Sequence, residues 1–575
     1  MAQPDADILS QVSLDAPWGL VEAFSRMPRW KPADVETAAR EIERRLTDLG
    51  VPVTLHEANL HLSIPFTASV SAGSDHRSAK PPAYAKSCPE GITAPLVHVP
   101  ATFSASINTL FHKNQDAAAS AAERIRGKIV ISEGFSFPGK IREFEENGAL
   151  GVIAMNPGAD AHWGICTTIW GTPDLDDLPR RPGIPAAAVS NPDGQALLAL
   201  AASESEVTLR THLEDGWYRS LVPVVEIPGT EEPEKFVLLH GHYDSWDVGV
   251  GDNATGDATL LEIARLLWAN RDRLKRSVRI AWWPGHSTGR YAGATWYADT
   301  FALDLDENCV AQVNCDSPGC RWASEFIDIS WMKEAEAFCQ STIRAVTGQE
   351  SAGERPHRAG DYAFNNIGLS SFFMLSSTMS PEHRAEKGYY AVGGCGGNIA
   401  WHTENDVLEI ADRDNLLRDI KVYLAAVLGV ANAEVLPFDW RAQVEEFTAT
   451  IAGYQADAGA LADLAPAAKS AERLGAALAE FYAAVDQKRI PAKDANAVIQ
   501  RLARVLVPVN YTLEPRFRHD PATPVPPLPA LAPAATLKDH GPETLGFAQT
   551  QVVRGVNRVA AALRAAEDEV RGVLP

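Results

Sequence analysis

Four short segments of the sequence carry imidazole and carboxylate side chains at spacings that suit metal chemistry. In the first, His242 and Asp244 are followed by a glycine-rich loop that carries Asp252. The other three segments contribute one candidate each: Asp316, His286 and His402. Imidazole nitrogens and carboxylate oxygens together suit a borderline divalent ion such as zinc. The sequence therefore predicts a metal site built from these side chains.

The candidate ligands lie at the ends of predicted strands or just before a predicted helix. The apolar run 236–239 has the length of a buried strand, and a helical pattern begins after Gly256. Further strands are predicted over 278–283 and 309–316. Ligands bind outside the carboxyl ends of strands in open α/β sheets, so we expect these side chains to meet there. Strands alternating with helices over 222–435 predict an α/β fold with a mixed, mostly parallel sheet and helices on both faces.

The composition and periodicity of the sequence divide the chain into three predicted units. Residues 1–90 together with 222–435 form the unit that carries the candidate ligands. Residues 91–221 form a compact unit with no titratable cluster that suggests chemistry. From 436 to 575 the chain is rich in Ala, Leu and Glu with long helical periods. Its apolar faces suit a homodimer interface, or equally a helical cap on the same subunit.

The composition of the whole chain restricts its partners and its compartment. The 575 residues carry 52 basic and 74 acidic side chains, a formal net charge of −22, which argues against a nucleic-acid partner. No stretch approaches about 18 apolar residues, and the N-terminal residues have no secretion-signal pattern, so we expect no membrane span and no export. Seven scattered cysteines favour reduced thiols in the cytoplasm.

The motifs resemble those of the co-catalytic two-zinc aminopeptidase superfamily, which includes glutamate carboxypeptidase and the transferrin receptor ectodomain. The similar segments are His242-x-Asp244, 251–256, 314–317, 360–362 and 402–406. The resemblance covers nearly the whole chain: residues 91–221 are similar to the protease-associated domain inserted in many members, and the helical C-terminus is similar to their dimerisation domain. It implies a zinc-aminopeptidase-like fold, hydrolysis of amide or peptide bonds, and a homodimer.

The resemblance also assigns ligands to the metal ions. It implies that His242, Asp252 and Asp316 hold one ion, and that Asp252 bridges to a second ion bound by His402. Asp244 would lie behind His242 and orient it, which is what carboxylates do at many zinc sites. The expected cofactor is therefore zinc, with one or two ions per chain.

The sequence departs from the family just after the strand predicted over 278–283. The family carries two adjacent glutamates there, a general base followed by a metal ligand, whereas this chain has His286 and Ser287. Serine is a poor zinc ligand because its hydroxyl stays neutral, and His286 is able to be either ligand or base. Three interpretations follow: a two-metal hydrolase in which His286 replaces a glutamate, a one-metal hydrolase, or a catalytically inactive binding scaffold similar to the transferrin receptor.

The substrate is only loosely restricted by the sequence. Arg290 and Arg358 are candidates to bind a substrate carboxylate, although each is equally a surface or structural arginine. A peptide, an acylated amino acid or a non-peptide amide would all fit. The resulting hypothesis is a zinc-dependent hydrolase, aminopeptidase- or carboxypeptidase-like, with Asp244 and His286 as its catalytic residues.

Overall fold

The structure, a computed structural model, describes residues 5–106, 110 and 122–575. The strands among these residues are numbered β1 to β15 in chain order. They are Thr54–Ala72, Asp75–Ala79, Cys88–His98, Ile129–Glu133, Gly151–Met155, Ala186–Val189, Glu206–Ile227, Glu232–His242, Arg276–Trp283, Cys309–Asn314, Ala323–Glu325, Ile329–Ser330, Gly353–Glu354, Ser371–Phe372 and Thr378–Met379.

One continuous sheet joins eleven of these strands. Its order is β14-β10-β8-β9-β7-β3-β4-β5-β6, with β1 paired to β7 and β2 paired to β1. Strands β14, β10, β8 and β9 are parallel, as are β3 to β6, while β7 is antiparallel to its neighbours. The predicted mixed, mostly parallel α/β sheet is confirmed.

Helices cover the sheet and form most of the C-terminal part of the chain. The α-helices of the described residues, α1 to α16, are Ala6–Ser10, Asp15–Phe24, Pro32–Asp48, Ala122–Ile125, Pro138–Glu146, Asn191–Ala201, Thr255–Ala269, Ala292–Thr300, Ala302–Asn308, Glu336–Thr347, Pro381–Lys387, Arg413–Ala431, Trp440–Ala458, Ala465–Asp486, Ala492–Tyr511 and Leu545–Arg571. Helix α7 is buried on almost every side, and the buried residues include Asp257 and Glu262.

The long strands β1 and β7 connect the two halves of the sheet. They pair from Thr54 opposite Val224 to Ser71 opposite Thr208. Strand β7 runs through the domain boundary expected at 221/222, and β3 runs through the one expected at 90/91. Both expected boundaries therefore lie inside strands of the continuous sheet. The division into domains stays a prediction.

The C-terminal helices pack against the same chain. Arg504 of α15 donates hydrogen bonds to the carbonyl oxygens of Gly368 at 2.8 Å and Cys309 at 2.6 Å. One apolar cluster extends from Ile8 through α7 and α12 to Val570 of α16. The helical segment therefore caps its own subunit, and the homodimer stays a prediction.

The structure describes the cysteines and the helices on which the expectations about compartment and membrane depend. All seven cysteines are buried and unpaired. Across the described residues, none of the helices is both long enough and apolar enough to cross a membrane.

Glu334, just before α10, gives a testable pH dependence of stability. Burial raises the pKa of its carboxyl to about 7, while one oxygen accepts a hydrogen bond from Ser370 Oγ at 2.8 Å. The unfolded chain loses this proton near pH 4.5, whereas the folded chain keeps it until about pH 7. As the pH rises from 4.5 to 7, the free energy of unfolding therefore falls by on the order of 3 kcal/mol. We expect Glu334→Gln to remove that part of the pH dependence of the thermal midpoint.

The matched control for this prediction is Glu336→Gln, a neighbouring glutamate that is partly exposed and paired with Lys333. It should shift the thermal midpoint little, because pairs of this kind contribute only about 0–1 kcal/mol. Parallel pH profiles for the wild type and Glu334→Gln would contradict the assignment.

Candidate metal centre

Three neighbouring parallel strands deliver three of the predicted side chains to one edge of the sheet. Strand β8 ends at His242, while β9 and β10 end shortly before His286 and Asp316. The register places His242 beside Trp283 of β9, so these strands end at one level. The meeting of side chains expected at the carboxyl ends of the strands is present in the structure.

Asp252 lies in the middle of the cluster. Its Oδ1 is 3.0 Å from Nε2 of His242, and its Oδ2 is 3.1 Å from Nε2 of His402. Oδ2 of Asp316 lies 3.7 Å from the same His242 nitrogen. These four side chains are at most 10% exposed. The structure thus brings together the four residues to which the resemblance gives metal-binding roles.

Backbone carbonyls select which ring nitrogen of each imidazole faces the cluster. Nδ1 of His242 lies 2.8 Å from the carbonyl oxygen of Asp244, and Nδ1 of His402 lies 3.0 Å from that of Trp163. The N–H of Trp163 donates back to the carbonyl oxygen of His402 at 2.9 Å. A carbonyl oxygen only accepts hydrogen bonds, so Nδ1 of each ring carries a proton, and Nε2 is the nitrogen left to face Asp252 and to bind a metal ion.

Two further side chains fix the loop that carries Asp252. The carboxylate of Asp406 accepts the N–H of Gly251 at 2.7 Å and that of Asp252 at 3.0 Å. The amide of Asn253 donates to the carbonyl oxygens of His242 and Cys315, at the ends of β8 and β10. Asp252 is therefore held in place through its own backbone before any ion binds.

Asp244 has a different contact from the one expected. The backbone carbonyl of Asp244, and not its carboxylate, meets the ring of His242. The two carboxylate oxygens accept the N–H groups of His286 at 2.9 Å and Ser287 at 3.0 Å. Asp244 points toward the loop after β9 because that loop presents two free N–H donors, so its side chain positions the His286 loop.

His286 forms a pair with a carboxylate that the sequence analysis left without a role. Its ring stacks on that of His242, with centroids 3.7 Å apart, and its Nδ1 lies 2.8 Å from Oδ2 of Asp361. Burial raises the pKa of Asp361, but His286 and nearby imidazoles lower it more, so it lies below its usual value. One ligand atom each of His242, His286 and Asp316 lie within 4.8 Å of one another.

The donor set at His242 fits a divalent cation. Burial lowers the pKa of His242, but Asp252 and Asp316 raise it more, so the net pKa lies well above its usual value. Two carboxylates and an imidazole in a buried pocket therefore attract positive charge, and zinc supplies it with these ligand types. The second position is poorer, since His402 has an ion-pair contact only with Asp252 among the described residues.

Arg29 is a functional residue that sequence reasoning missed. It is fully buried, and its guanidinium donates to the carbonyl oxygens of Tyr243 at 2.7 Å, Val248 at 2.7 Å and Gly249 at 3.0 Å. It therefore fixes the loop between His242 and Asp252 from the N-terminal side. Nothing in the sequence near Arg29 signals this contact, because the three carbonyls of that loop are more than 200 positions away.

The two predicted substrate-binding arginines have different surroundings. The guanidinium of Arg358 donates to the carbonyl oxygens of Asp520 at 2.6 Å and Pro521 at 3.2 Å and lies over the ring of Trp170. Its donors hold the C-terminal segment, and substrate binding by Arg358 stays a prediction. Arg290 lines a small cavity together with His286, Asp252, Asp316 and other residues.

Comparison with known proteins gives matches for two parts of the chain. Peptidase family M28 matches residues 224–427, and the PA domain matches residues 92–197. Residues 224–427 are thus similar to an M28 peptidase domain, and residues 92–197 are similar to a PA domain. The superfamily resemblance seen in the motifs is confirmed, and the M28 match includes every predicted ligand.

Relatives of the M28 domain are known in sequence and in structure. Carboxypeptidase Q of Rattus norvegicus is 29% identical over 220 residues, which is 36% of this chain and 43% of that protein. A peptidase M28 precursor from Shewanella amazonensis superposes with a TM-score of 0.55 at 19% identity, covering 75% of this chain and 96% of the other. A zinc aminopeptidase from Bacillus subtilis gives 0.52 at 20% identity, covering 72% and 95%. The structural matches establish the fold, while the chain spans less than half of the curated relative's length.

Proposed function

We propose that this chain is a metal-dependent hydrolase of peptide or amide bonds and that zinc is its metal. The observation that carries the proposal is the buried cluster in which Asp252 lies between His242 and His402, with Asp316 beside it. The names of the relatives support it, since they include a carboxypeptidase and a zinc aminopeptidase.

Three side chains form the principal metal position. Nε2 of His242 and the carboxylates of Asp252 and Asp316 would hold the ion, a set of three protein ligands that is typical of catalytic zinc. When bound there, zinc polarises a substrate carbonyl and makes a water molecule acidic enough to deprotonate near neutral pH. His402 supports the position from the far side through Asp252.

His286 takes the place of the glutamate base in this proposal. A water molecule attacks the carbonyl carbon, and its proton passes to Nε2 of His286, whose Nδ1 faces Asp361. Breaking the carbon–nitrogen bond then returns that proton to the leaving nitrogen, so no proton is gained or lost by the enzyme. Asp361 stays ionised and stabilises the transient imidazolium, as a carboxylate does behind a catalytic histidine.

The number of metal ions decides between the proposed mechanisms. Ser287 stands in place of a glutamate, and among the described side chains only Asp252 makes an ion-pair contact with His402, so we expect one tightly held zinc per chain. Elemental mass spectrometry on protein purified without added metal measures this directly. A chelator should abolish hydrolysis of a dipeptide panel, and stoichiometric zinc should restore it.

Two other results would contradict a one-zinc hydrolase. A chain that binds no zinc on titration and hydrolyses none of the panel would be a binding scaffold, the alternative that the replaced glutamate pair favours. Two firmly held ions would show that His286 or a neighbouring side chain completes the second position.

The assembly and the location of the protein complete the proposal. We propose a homodimer, supported by the similarity of the C-terminal helices to a dimerisation domain, and a cytoplasmic location, supported by seven unpaired cysteines. Light scattering on the full chain tests the first, and cell fractionation tests the second.

A further inference from the structure

Two cavities adjoin at Arg290. The smaller, of about 60 Å³, is lined by His286, Asp252 and Asp316 of the metal centre. The larger, of about 340 Å³, lies between the PA domain, the 354–358 loop and the 522–525 segment. Arg290 lines both, so a molecule whose amide lies at the metal centre and whose remainder fills the larger cavity must pass this guanidinium.

The guanidinium of Arg290 is buried without a counter-ion. The residue is 6% exposed, its Nε has no hydrogen-bond partner, and no ion pair to it occurs in the described part of the chain. The guanidinium lies over the ring of Tyr291, whose centroid is 4.9 Å away. Burying an uncompensated charge is costly, so such a group is expected where a ligand supplies the opposite charge.

The backbone around Arg290 is arranged to present this side chain. Arg290 and Tyr291 have φ angles of 47° and 70°, two consecutive left-handed residues that are neither glycine nor asparagine. The N–H of Tyr291 donates to the carbonyl oxygen of His286, and the N–H of Gly171 donates to that of Arg290. Backbone strain of this kind persists where the surrounding structure enforces it, which is common at binding sites.

The neighbouring arginines of the larger cavity do not share this property. Arg358 donates to three backbone carbonyls, at Tyr362, Asp520 and Pro521. Arg355 donates to the carbonyl oxygen of Asn510 and lies over the ring of Tyr511. Among the described arginines of the larger cavity, Arg290 is the one that also adjoins the metal centre, and its Nε has no hydrogen-bond partner.

We propose that Arg290 binds a carboxylate of the substrate, so that the hydrolysed compounds are acids whose carboxylate lies near the scissile amide. Peptides cleaved next to a free carboxyl end and N-acylated amino acids both have this chemistry. The proposal rests on the proposed hydrolase function and specifies its substrate class. A guanidinium pairs with a carboxylate through two parallel N–H···O bonds, which gives both affinity and orientation.

The test compares matched dipeptides and N-acetyl amino acids that end in a free carboxylate or in a carboxamide. For the zinc-loaded wild type, we expect the acid to exceed the amide in kcat/KM by at least about tenfold, the usual worth of a charged hydrogen bond. In Arg290→Met this ratio should fall to about one, mainly through a higher KM for the acid. Arg290→Lys keeps the positive charge but cannot form the two parallel N–H···O bonds, so it should give an intermediate ratio.

Arg355→Met is the matched control, because it removes a second arginine of the larger cavity and should keep the wild-type ratio. A wild-type ratio near one, or an undiminished ratio in Arg290→Met, would overturn the proposal. If no compound is hydrolysed, the proposed function fails while the binding question remains open to calorimetry. In that case tighter binding of the acids, lost in Arg290→Met, supports the carboxylate site, and equal binding of acid and amide refutes it.

Discussion

Replacing Asp252 by asparagine is expected to remove both hydrolysis and stoichiometric zinc. The carboxylate faces His242 with one oxygen and His402 with the other, so no other side chain is as central to the cluster. Since a Lewis acid supplies several kcal/mol of transition-state stabilisation, and each 1.36 kcal/mol is tenfold, kcat/KM should fall by about a thousandfold or more. Elemental analysis and the dipeptide assay on the same sample measure both effects.

The matched control for Asp252→Asn is Asp257→Asn. Asp257 is fully buried at the start of α7, and neither carboxylate oxygen has a hydrogen-bond partner. Burial raises its pKa well above the usual value, which favours the uncharged carboxyl, and asparagine is similar to that form in shape and charge. Zinc content and rate should stay near wild type there. Full turnover in Asp252→Asn would remove the metal mechanism altogether.

Replacing His286 by alanine is expected to lower kcat by about a hundredfold to ten-thousandfold, the usual contribution of a general base. Zinc should remain bound, because His242, Asp252 and Asp316 still hold it. Asp361→Asn should lower kcat as well and leave KM nearly unchanged, since Asp361 acts only through the ring of His286. The kcat and KM of both variants, measured beside their zinc content, separate a base from a ligand.

A carboxylate–imidazole pair outside the two cavities provides the control for this second prediction. His519 lies 2.8 Å from Asp299, and His519→Ala should leave kcat unchanged. His286→Glu restores the carboxylate that the related peptidases carry at this position and should recover part of the rate. Loss of zinc in His286→Ala would instead assign His286 to the metal, and an unchanged rate would exclude it from the chemistry.

The parts of the site that sequence predicted are those set by local pattern. The short apolar run before His242 indicated a strand, and Asp316 and His286 follow similar runs, so their meeting followed from the rule for strand ends. His402 lies on a loop, and only its motif placed it in the cluster. The mixed sheet was predictable from alternating strands and helices. The continuous β1–β7 ribbon was not, since it pairs residues more than 130 positions apart in the chain.

The parts that sequence could not predict depend on contacts between distant backbone atoms. Arg29 donates to five carbonyl oxygens, three of them in the loop after His242, and a carbonyl is present at every residue, so no pattern marks the partner. Asp361 lies within a recognised motif, but its pairing with His286 requires the loop after β9 to turn toward it. Arg290 and Arg358 look alike in sequence, and only the surrounding acceptors show which guanidinium is already engaged.

Trp163 and His402 are joined by two reciprocal hydrogen bonds, and on the side of residue 163 both atoms belong to the main chain. A carbonyl and an N–H survive any side-chain replacement except proline. The PA domain is therefore free to diverge in sequence at this contact while it continues to set the tautomer of His402. An engineer who grafts a foreign domain at this place must reproduce the path of its backbone, and the identity of the residue matters little.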